Sequence, residues 1–206
     1  AQRATRELLD GGTDIIIGPP FSNLGLPMLE ETKGETPILF MSSTEVVLAD
    51  ATQGSFLVSF NDKVQASAMA EFALGKGFTT AVTLSSADIP YLTINPEAFT
   101  SVFEQGGGTV SKDLSFSLGA TDFSQQVNEI AAMDPQPDAI FSAFFLPEAG
   151  IFIEQLREAG VESTILSADG FDASVAWSVG EVTEGASFST HTFPSAPAPA
   201  PSAVEI

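Results

Sequence analysis

Residues 14–23 read Asp14-Ile15-Ile16-Ile17-Gly18-Pro19-Pro20-Phe21-Ser22-Asn23, which joins the signals of a strand, a turn and a helix start. Its isoleucine run predicts a buried strand, Gly18 and the prolines predict a turn, and the hydroxyl and amide side chains predict the start of a helix. A strand that runs into a helix N-terminus is where an α/β protein offers free backbone N–H groups to an anion. A second copy follows in Pro37-Ile38-Leu39-Phe40-Met41 and Ser42-Ser43-Thr44. The two turns predict a pocket for a small carboxylated molecule.

The composition excludes several classes of protein. The 206 residues are 44% hydrophobic and include 17 Phe, which is enough for a substantial core in one large or two small domains. The 27 acidic and 7 basic residues give a net charge of −20, so neither nucleic acid nor an anionic membrane is expected as a main partner. The absence of cysteine excludes thiol catalysis, thiolate metal sites and disulfides. No apolar run approaches the roughly 20 residues that span a bilayer, so no direct membrane insertion is expected.

Strand and helix signals alternate along the chain, and glycines close the helices. They include a predicted strand over 55–60 and predicted helices at 96–104 and 173–179. Between residues 61 and 170 the alternation is regular, which predicts an α/β lobe with a parallel sheet covered on both faces. The first 55 residues contain only two predicted strands, too few for a lobe. The chain also starts inside a predicted helix and ends at residues 202–206 in the start of another. We therefore expect a fragment of a longer protein, with the first of two lobes incomplete.

Several motifs occur in a specific order along nearly the whole chain. The ordered set resembles the leucine/isoleucine/valine-binding family, the extracytoplasmic solute-binding proteins of ABC importers. The motifs that carry the resemblance are Ile16-Ile17-Gly18-Pro19, Ser42-Ser43-Thr44, Asn61-Asp62-Lys63-Val64-Gln65-Ala66, Thr121-Asp122-Phe123-Ser124, Pro137-Asp138-Ala139-Ile140, Phe152-Ile153-Glu154-Gln155-Leu156-Arg157-Glu158-Ala159-Gly160 and Ala168-Asp169-Gly170.

The resemblance implies a type I periplasmic-binding-protein fold, with two Rossmann-like lobes that close over a ligand. Residues 1–55 would be part of lobe one and residues 61–185 would form lobe two. Residues 56–60 and 186–194 would be hinge strands, and the Pro/Ala-rich residues 195–206 would return to lobe one.

The resemblance also implies a function without catalysis. The protein would bind an amino acid of the branched-chain type, or a related small carboxylate, and deliver it to the membrane permease of an ABC importer. Its location would be periplasmic or on the cell surface, and no cofactor or metal would be required. A sensory or regulatory ligand-binding domain of the same fold is the alternative. An enzyme that uses the acid pair Asp169 and Asp172 is a further alternative, although no nucleophile elbow, phosphate loop or zinc motif occurs.

Three hydroxyl side chains are candidates for the carboxylate end of the ligand. The resemblance places Ser22 where the family binds the ligand carboxylate. It places Ser43 and Thr44 in a second turn that contacts the carboxylate and the ammonium. For each of them, helix capping is the alternative role.

Three further residues are candidates for the ammonium and the side chain of the ligand. Asp169 follows a predicted strand, at the position where amino-acid-binding relatives carry an acid for the ammonium; a turn residue is the alternative. Tyr91 and Phe145 correspond to family positions whose rings face the cleft, and packing in the core is their alternative. His191 is the only histidine, and without histidine neighbours it indicates no metal site. Asp172 is predicted to cap a helix, and Trp177 to lie in the core.

Overall fold

The computed structural model of the chain describes residues 1–171 and 183–191. Two parallel β-sheets organise these residues, with helices between successive strands. The first sheet has the order β1-β2-β3, formed by β1 (Ile16–Ile17), β2 (Ile38–Phe40) and β3 (Ser55–Leu57). Its helices are α1 (Gln2–Asp10), α2 (Ser22–Thr32) and α3 (Val46–Ala51). We call residues 1–57 the first lobe.

The second sheet has the strand order β5-β4-β6-β7-β8, and each of its pairings is parallel. Its strands are β4 (Thr80–Ser85), β5 (Thr109–Ser115), β6 (Ala139–Phe141), β7 (Thr164–Ser167) and β8 (Ser187–Phe188). Its helices are α4 (Asp62–Gly75), α5 (Tyr91–Gln105), α6 (Ser124–Ala131) and α7 (Glu148–Glu158), and a short 3₁₀ helix spans Asp169–Phe171. We call residues 62–171 and 183–188 the second lobe.

The second lobe has a helical layer on each face of its sheet. Side chains alternate across a strand, so neighbouring residues face opposite cores. Ile140 packs with residues of α6 and α7, whereas the next residue, Phe141, packs with residues of α4 and α5. The order of this sheet is that of a doubly wound fold, in which ligands bind at the carboxyl ends of the strands. The loops after β4, β6 and β7 are therefore the ones to search for a site.

The turn from β1 to α2 depends on Gly18. A Cβ atom at this position would lie 2.5 Å from ring atoms of Phe40 and 2.9 Å from a methyl carbon of Ile38. The Gly18 N–H group also donates a hydrogen bond of 2.8 Å to the carbonyl oxygen of Leu39 on β2. These close contacts hold the turn against the sheet and fix the point from which α2 starts.

One face of the first sheet is exposed in the part of the chain that the structure describes. Ile17 lies beside Leu39, and Leu39 lies beside Phe56, so the three residues form a row across the sheet. Ile17 is 62% exposed and Phe56 is 49% exposed. Parallel sheets are usually covered on both faces, whereas the described residues of the first lobe cover only one.

The predicted order of strands and helices agrees with the structure through residue 171, with differences at the boundaries. The helix predicted from residue 96 begins at Tyr91. The strand predicted over 55–60 ends at Leu57 and pairs with β2, and β8 pairs with β7. The assignment of 56–60 and 186–194 as hinge strands stays a prediction. Outside the described residues lie Asp172, the helix predicted at 173–179 with Trp177, residues 192–194 and the tail 195–206.

Candidate functional site

The loops that follow the strands of both lobes meet at a cavity of about 110 Å³. Since the ends of parallel strands gather at one edge of a sheet, the two lobes bring residues distant in sequence to one place. The lining residues are Pro20, Phe21, Ser42, Thr44 and Glu45 from the first lobe, and Tyr91, Phe145, Asp169 and Gly170 from the second.

Four of the six residues predicted for the site line this cavity: Thr44, Tyr91, Phe145 and Asp169. The other two, Ser22 and Ser43, are buried and are sequence neighbours of the lining residues Phe21, Ser42 and Thr44. The Ser43 hydroxyl donates a hydrogen bond of 2.7 Å to the carbonyl oxygen of Pro19. Ser43 therefore ties the second turn to the first. The roles of these six residues in binding stay predictions.

Asp169 is held in place by two side chains. The Tyr91 hydroxyl donates to one carboxylate oxygen at 2.8 Å, and Nε2 of His191 lies 3.0 Å from the other. The Gly170 N–H group donates to the Tyr91 oxygen at 2.8 Å, which orients the hydroxyl toward Asp169. A carboxylate has about four acceptor positions. The two side-chain donors in the described part of the chain therefore leave Asp169 able to accept further hydrogen bonds.

The environment of Tyr91 keeps its hydroxyl protonated. Burial raises the pKa of this hydroxyl well above its usual value, and the neighbouring charge of Asp169 raises it further. A phenol that stays protonated is a permanent hydrogen-bond donor to the carboxylate. Tyr91 thus positions Asp169 without neutralising its charge.

His191 is a neighbour of Asp169 that the sequence did not reveal. The backbone N–H group of Phe60 donates to Nδ1 of His191 at 3.2 Å, so Nδ1 acts as an acceptor and the proton lies on Nε2. With this tautomer, Nε2 donates the hydrogen bond to Asp169. The His191 ring also stacks on Phe60, with centroids 5.9 Å apart. Because Phe60 and His191 are 131 residues apart, no local sequence pattern could have connected them.

Aromatic rings form one wall of the cavity. The rings of Phe145 and Tyr91 stack with centroids 5.0 Å apart, and Phe21 meets the Phe145 ring edge-on at 5.9 Å. Phe21 comes from the first lobe and was not among the predicted site residues. Stacked aromatic faces offer an apolar surface and an attractive one for an ammonium group. The wall can therefore contact both the side chain and the positive end of an amine.

The N-terminus of α2 is occupied by a carboxylate of the chain itself. The Ser22 N–H group donates to Oε2 of Glu45 at 2.6 Å, and Glu45 is only 4% exposed. A helix N-terminus carries a partial positive charge that stabilises a carboxylate. Glu45 was not among the site residues predicted from the sequence. Its side chain contacts Ser22, which lies 23 residues earlier in the chain.

A second buried acid, Asp62, is the first residue of α4. It is 1% exposed, and among residues 1–171 and 183–191 no hydrogen bond of standard geometry reaches either of its carboxylate oxygens. Burial raises its pKa to about 6; the charges of Glu45 and Asp169 contribute, and the nearby side chains of Thr44 and Asn95 oppose the shift only in part. Three acidic side chains, Glu45, Asp62 and Asp169, therefore lie close enough together for their charges to interact.

We expect Asp62 to make the protein less stable as the pH rises. Its pKa is raised from about 3.8 to about 6 in the folded state, so the folded protein holds this proton more tightly than the unfolded one. The stabilisation is complete below about pH 4 and is lost as the pH rises through 6. Asp62→Asn should be more stable than the wild type by about 2–3 kcal/mol at pH 7. The free energy of unfolding in urea, measured between pH 4 and 8, tests this.

The matched control for this measurement is Asp50→Asn, which removes an exposed acid from α3. The control should keep the pH profile of the wild type. If the Asp62→Asn profile coincided with that of the wild type, ionisation of Asp62 would not lower the free energy of unfolding.

Metal sites and membrane-spanning helices are both absent from residues 1–171 and 183–191. Within these ranges, no cluster of three or more acidic or histidine side chains has the arrangement of a metal site. None of the helices in the same ranges combines the length and the apolarity that a bilayer crossing demands.

Comparison with known proteins identifies relatives over nearly the whole chain. A family model described as "Periplasmic binding protein" matches residues 1–205. The Leu/Ile/Val-binding protein BraC3 of Rhizobium johnstonii is 22% identical over 191 residues, which cover 91% of this chain and 51% of that protein. The chain thus spans about half the length of this curated relative.

Solved structures share the fold. The leucine-binding protein LivK of Thermotoga maritima superposes with a TM-score of 0.82 and 31% identity, over 95% of this chain and 56% of that one. The branched-chain amino acid transporter substrate-binding protein LivJ of Streptococcus pneumoniae, solved in complex with isoleucine, gives a TM-score of 0.74 and 22% identity. That superposition covers 82% of this chain and 48% of LivJ.

Proposed function

Because the chain belongs to the periplasmic binding protein family, we propose that it is part of the solute-binding component of an ABC importer. The proposed ligand is an amino acid of the branched-chain type or a related small carboxylate. One observation carries the proposal: residues of both lobes, among them Thr44, Tyr91, Phe145 and Asp169, line a single cavity. The proposed location is the periplasm or the cell surface, and the proposed partner is a membrane permease.

The ammonium end of the ligand is assigned to Asp169. Its carboxylate is held by Tyr91 and His191 and lines the cavity. An ammonium group loses its water in a closed cleft and needs a fixed negative partner there. The faces of Phe145 and Phe21 complete an environment that suits a positive group with an apolar side chain.

The carboxylate end is assigned to the two turns of the first lobe. Thr44 lines the cavity, Ser22 begins α2, and the Ser43 hydroxyl holds the second turn to the first through Pro19. Backbone N–H groups and hydroxyls at a helix N-terminus suit an anion, because the donors and the helix dipole already point toward it.

Closure of the lobes is the proposed mechanism. A ligand that contacts both lobes only in the closed form shifts the equilibrium toward that form. The segments 56–60 and 186–194 are proposed as the hinge, and the contact between Phe60 and His191 supports this because it joins one proposed segment to the other. The permease would then recognise the closed form.

A thermal-shift experiment on the full-length protein tests the proposal. A ligand raises the melting temperature when it binds the folded state alone. We expect L-leucine or L-isoleucine to raise it, and 4-methylvalerate, which is leucine without its ammonium group, to have little effect. Recovery of the added amino acid unchanged after incubation would support binding without catalysis. If none of the three compounds shifts the melting temperature, the proposed ligand class is wrong.

A further inference from the structure

The proposed carboxylate subsite already contains a carboxylate. Glu45 accepts a hydrogen bond of 2.6 Å from the Ser22 N–H group, at the N-terminus of the eleven-residue helix α2. Glu45 also lines the cavity, so its side chain lies where a ligand carboxylate would be expected. The geometry is that of an anion at a helix N-terminus, with the anion supplied by the chain.

No basic side chain lies among the described residues that line the cavity. The charged residues in this lining are Glu45 and Asp169, and buried Asp62 lies close enough to feel the charge of both. A ligand carboxylate that entered beside Glu45 would meet a like charge in a poorly solvated place, which is costly. A ligand ammonium would meet the same charges as attractive partners.

We propose that Glu45 determines specificity as a built-in competitor of the ligand carboxylate. This inference rests on the proposed function, because it concerns the same cavity and the same class of ligand. A free amino acid has to displace the Glu45 side chain from the Ser22 N–H group before its own carboxylate can bind there. A ligand with the same amine and side chain but no carboxylate charge binds without that displacement. Glu45 therefore weakens the binding of free amino acids selectively.

L-Leucine and L-leucinamide are suitable probes, because they differ in the carboxylate and share the amine and the side chain. Their dissociation constants would be measured by calorimetry on the full-length wild type and on Glu45→Gln. The ratio of the two constants cancels any difference in the fraction of folded protein. We expect this ratio to shift at least tenfold toward leucine in Glu45→Gln, since removal of the charge ends the competition. Glu35→Gln, which removes an exposed acid of the same lobe, should keep the wild-type ratio.

A second measurement follows the amide proton of Ser22 by NMR spectroscopy, first without and then with ligand. Without ligand, the amide proton of Ser22 should resonate further downfield in the wild type than in Glu45→Ala, because a charge-assisted hydrogen bond is lost. Addition of L-leucine to the wild type should move this resonance, whereas L-leucinamide should leave it closer to the free position.

The outcomes separate this inference from the proposed function. If leucine binds but the ratio is unchanged or shifts toward leucinamide in Glu45→Gln, the inference is overturned and the proposed function stands. A Ser22 resonance that is identical in the wild type and in Glu45→Ala also overturns the inference. If neither compound binds the wild type or the variant, the proposed function fails, and the inference fails with it.

Discussion

Asp169→Ala in the full-length protein is expected to weaken the binding of an amino acid by on the order of 2–4 kcal/mol, or roughly 30- to 1,000-fold. The carboxylate lines the cavity with Tyr91 and His191 as donors, and its remaining acceptor positions are proposed to receive the ligand ammonium. Removing the acid leaves the ligand ammonium without a fixed negative partner in a place that water reaches poorly. The expected loss of binding free energy is therefore that of a buried charge pair.

Calorimetry with L-leucine measures this effect, and two further variants sharpen it. Asp169→Asn keeps the shape of the side chain and removes the charge, so it should lose nearly as much affinity as Asp169→Ala. Asp10→Ala removes an exposed acid at the end of α1 and should bind like the wild type. An Asp169→Ala protein with an unchanged dissociation constant would show that the ammonium binds elsewhere.

Phe152→Ala is expected to lower the free energy of unfolding by about 3–5 kcal/mol, the usual range for a fully buried phenylalanine. Phe152 is completely buried on α7, and its ring lies 5.5 Å from that of Phe123 and 5.2 Å from that of Phe144. Truncation would leave a cavity among aromatic rings that cannot all move to fill it. The loop after β6 depends on this packing, because Phe144 directly precedes Phe145 of the site.

Urea unfolding monitored by circular dichroism tests the stability prediction. Phe72→Ala is the control, since Phe72 lies on α4 with 38% of its surface exposed and should lose no more than about 1 kcal/mol. If the two variants lost equal stability, the packing of rings around Phe152 would not be the source of the effect.

The sequence predicted the fold well where the local signals are strong. The isoleucine run before Gly18 specified a strand, a turn and a helix start, because apolar runs and glycines act over a few residues. Helix α5 was predicted to start at Pro96, but it starts at Tyr91 and contains that proline in its interior. Pro96 has no N–H group to donate to the carbonyl oxygen of Leu92, four residues earlier. That oxygen accepts a hydrogen bond of 3.2 Å from the Ser86 N–H group instead, so the helix tolerates the proline.

The candidate site could be predicted only in part. Asp169 was found because it follows a strand in a motif of the family, and the structure places it in the cavity. Phe21, Glu45 and His191 were not found, because each reaches the site through contacts with residues far away in sequence. Glu45 directly follows Thr44, yet its role depends on a hydrogen bond to Ser22 that only the folded chain creates.

The central claim, that the two lobes close around one ligand, is tested most directly by a distance between them. The sequence contains no cysteine, so spin labels can be attached at Glu35→Cys in the first lobe and Glu158→Cys at the end of α7 in the second. We predict that saturating L-leucine shortens the distance between the labels by several ångströms in the full-length protein. In the Asp169→Ala background, the same change should need a far higher concentration of leucine. A distance that stays the same while calorimetry shows leucine to be bound would contradict the claim.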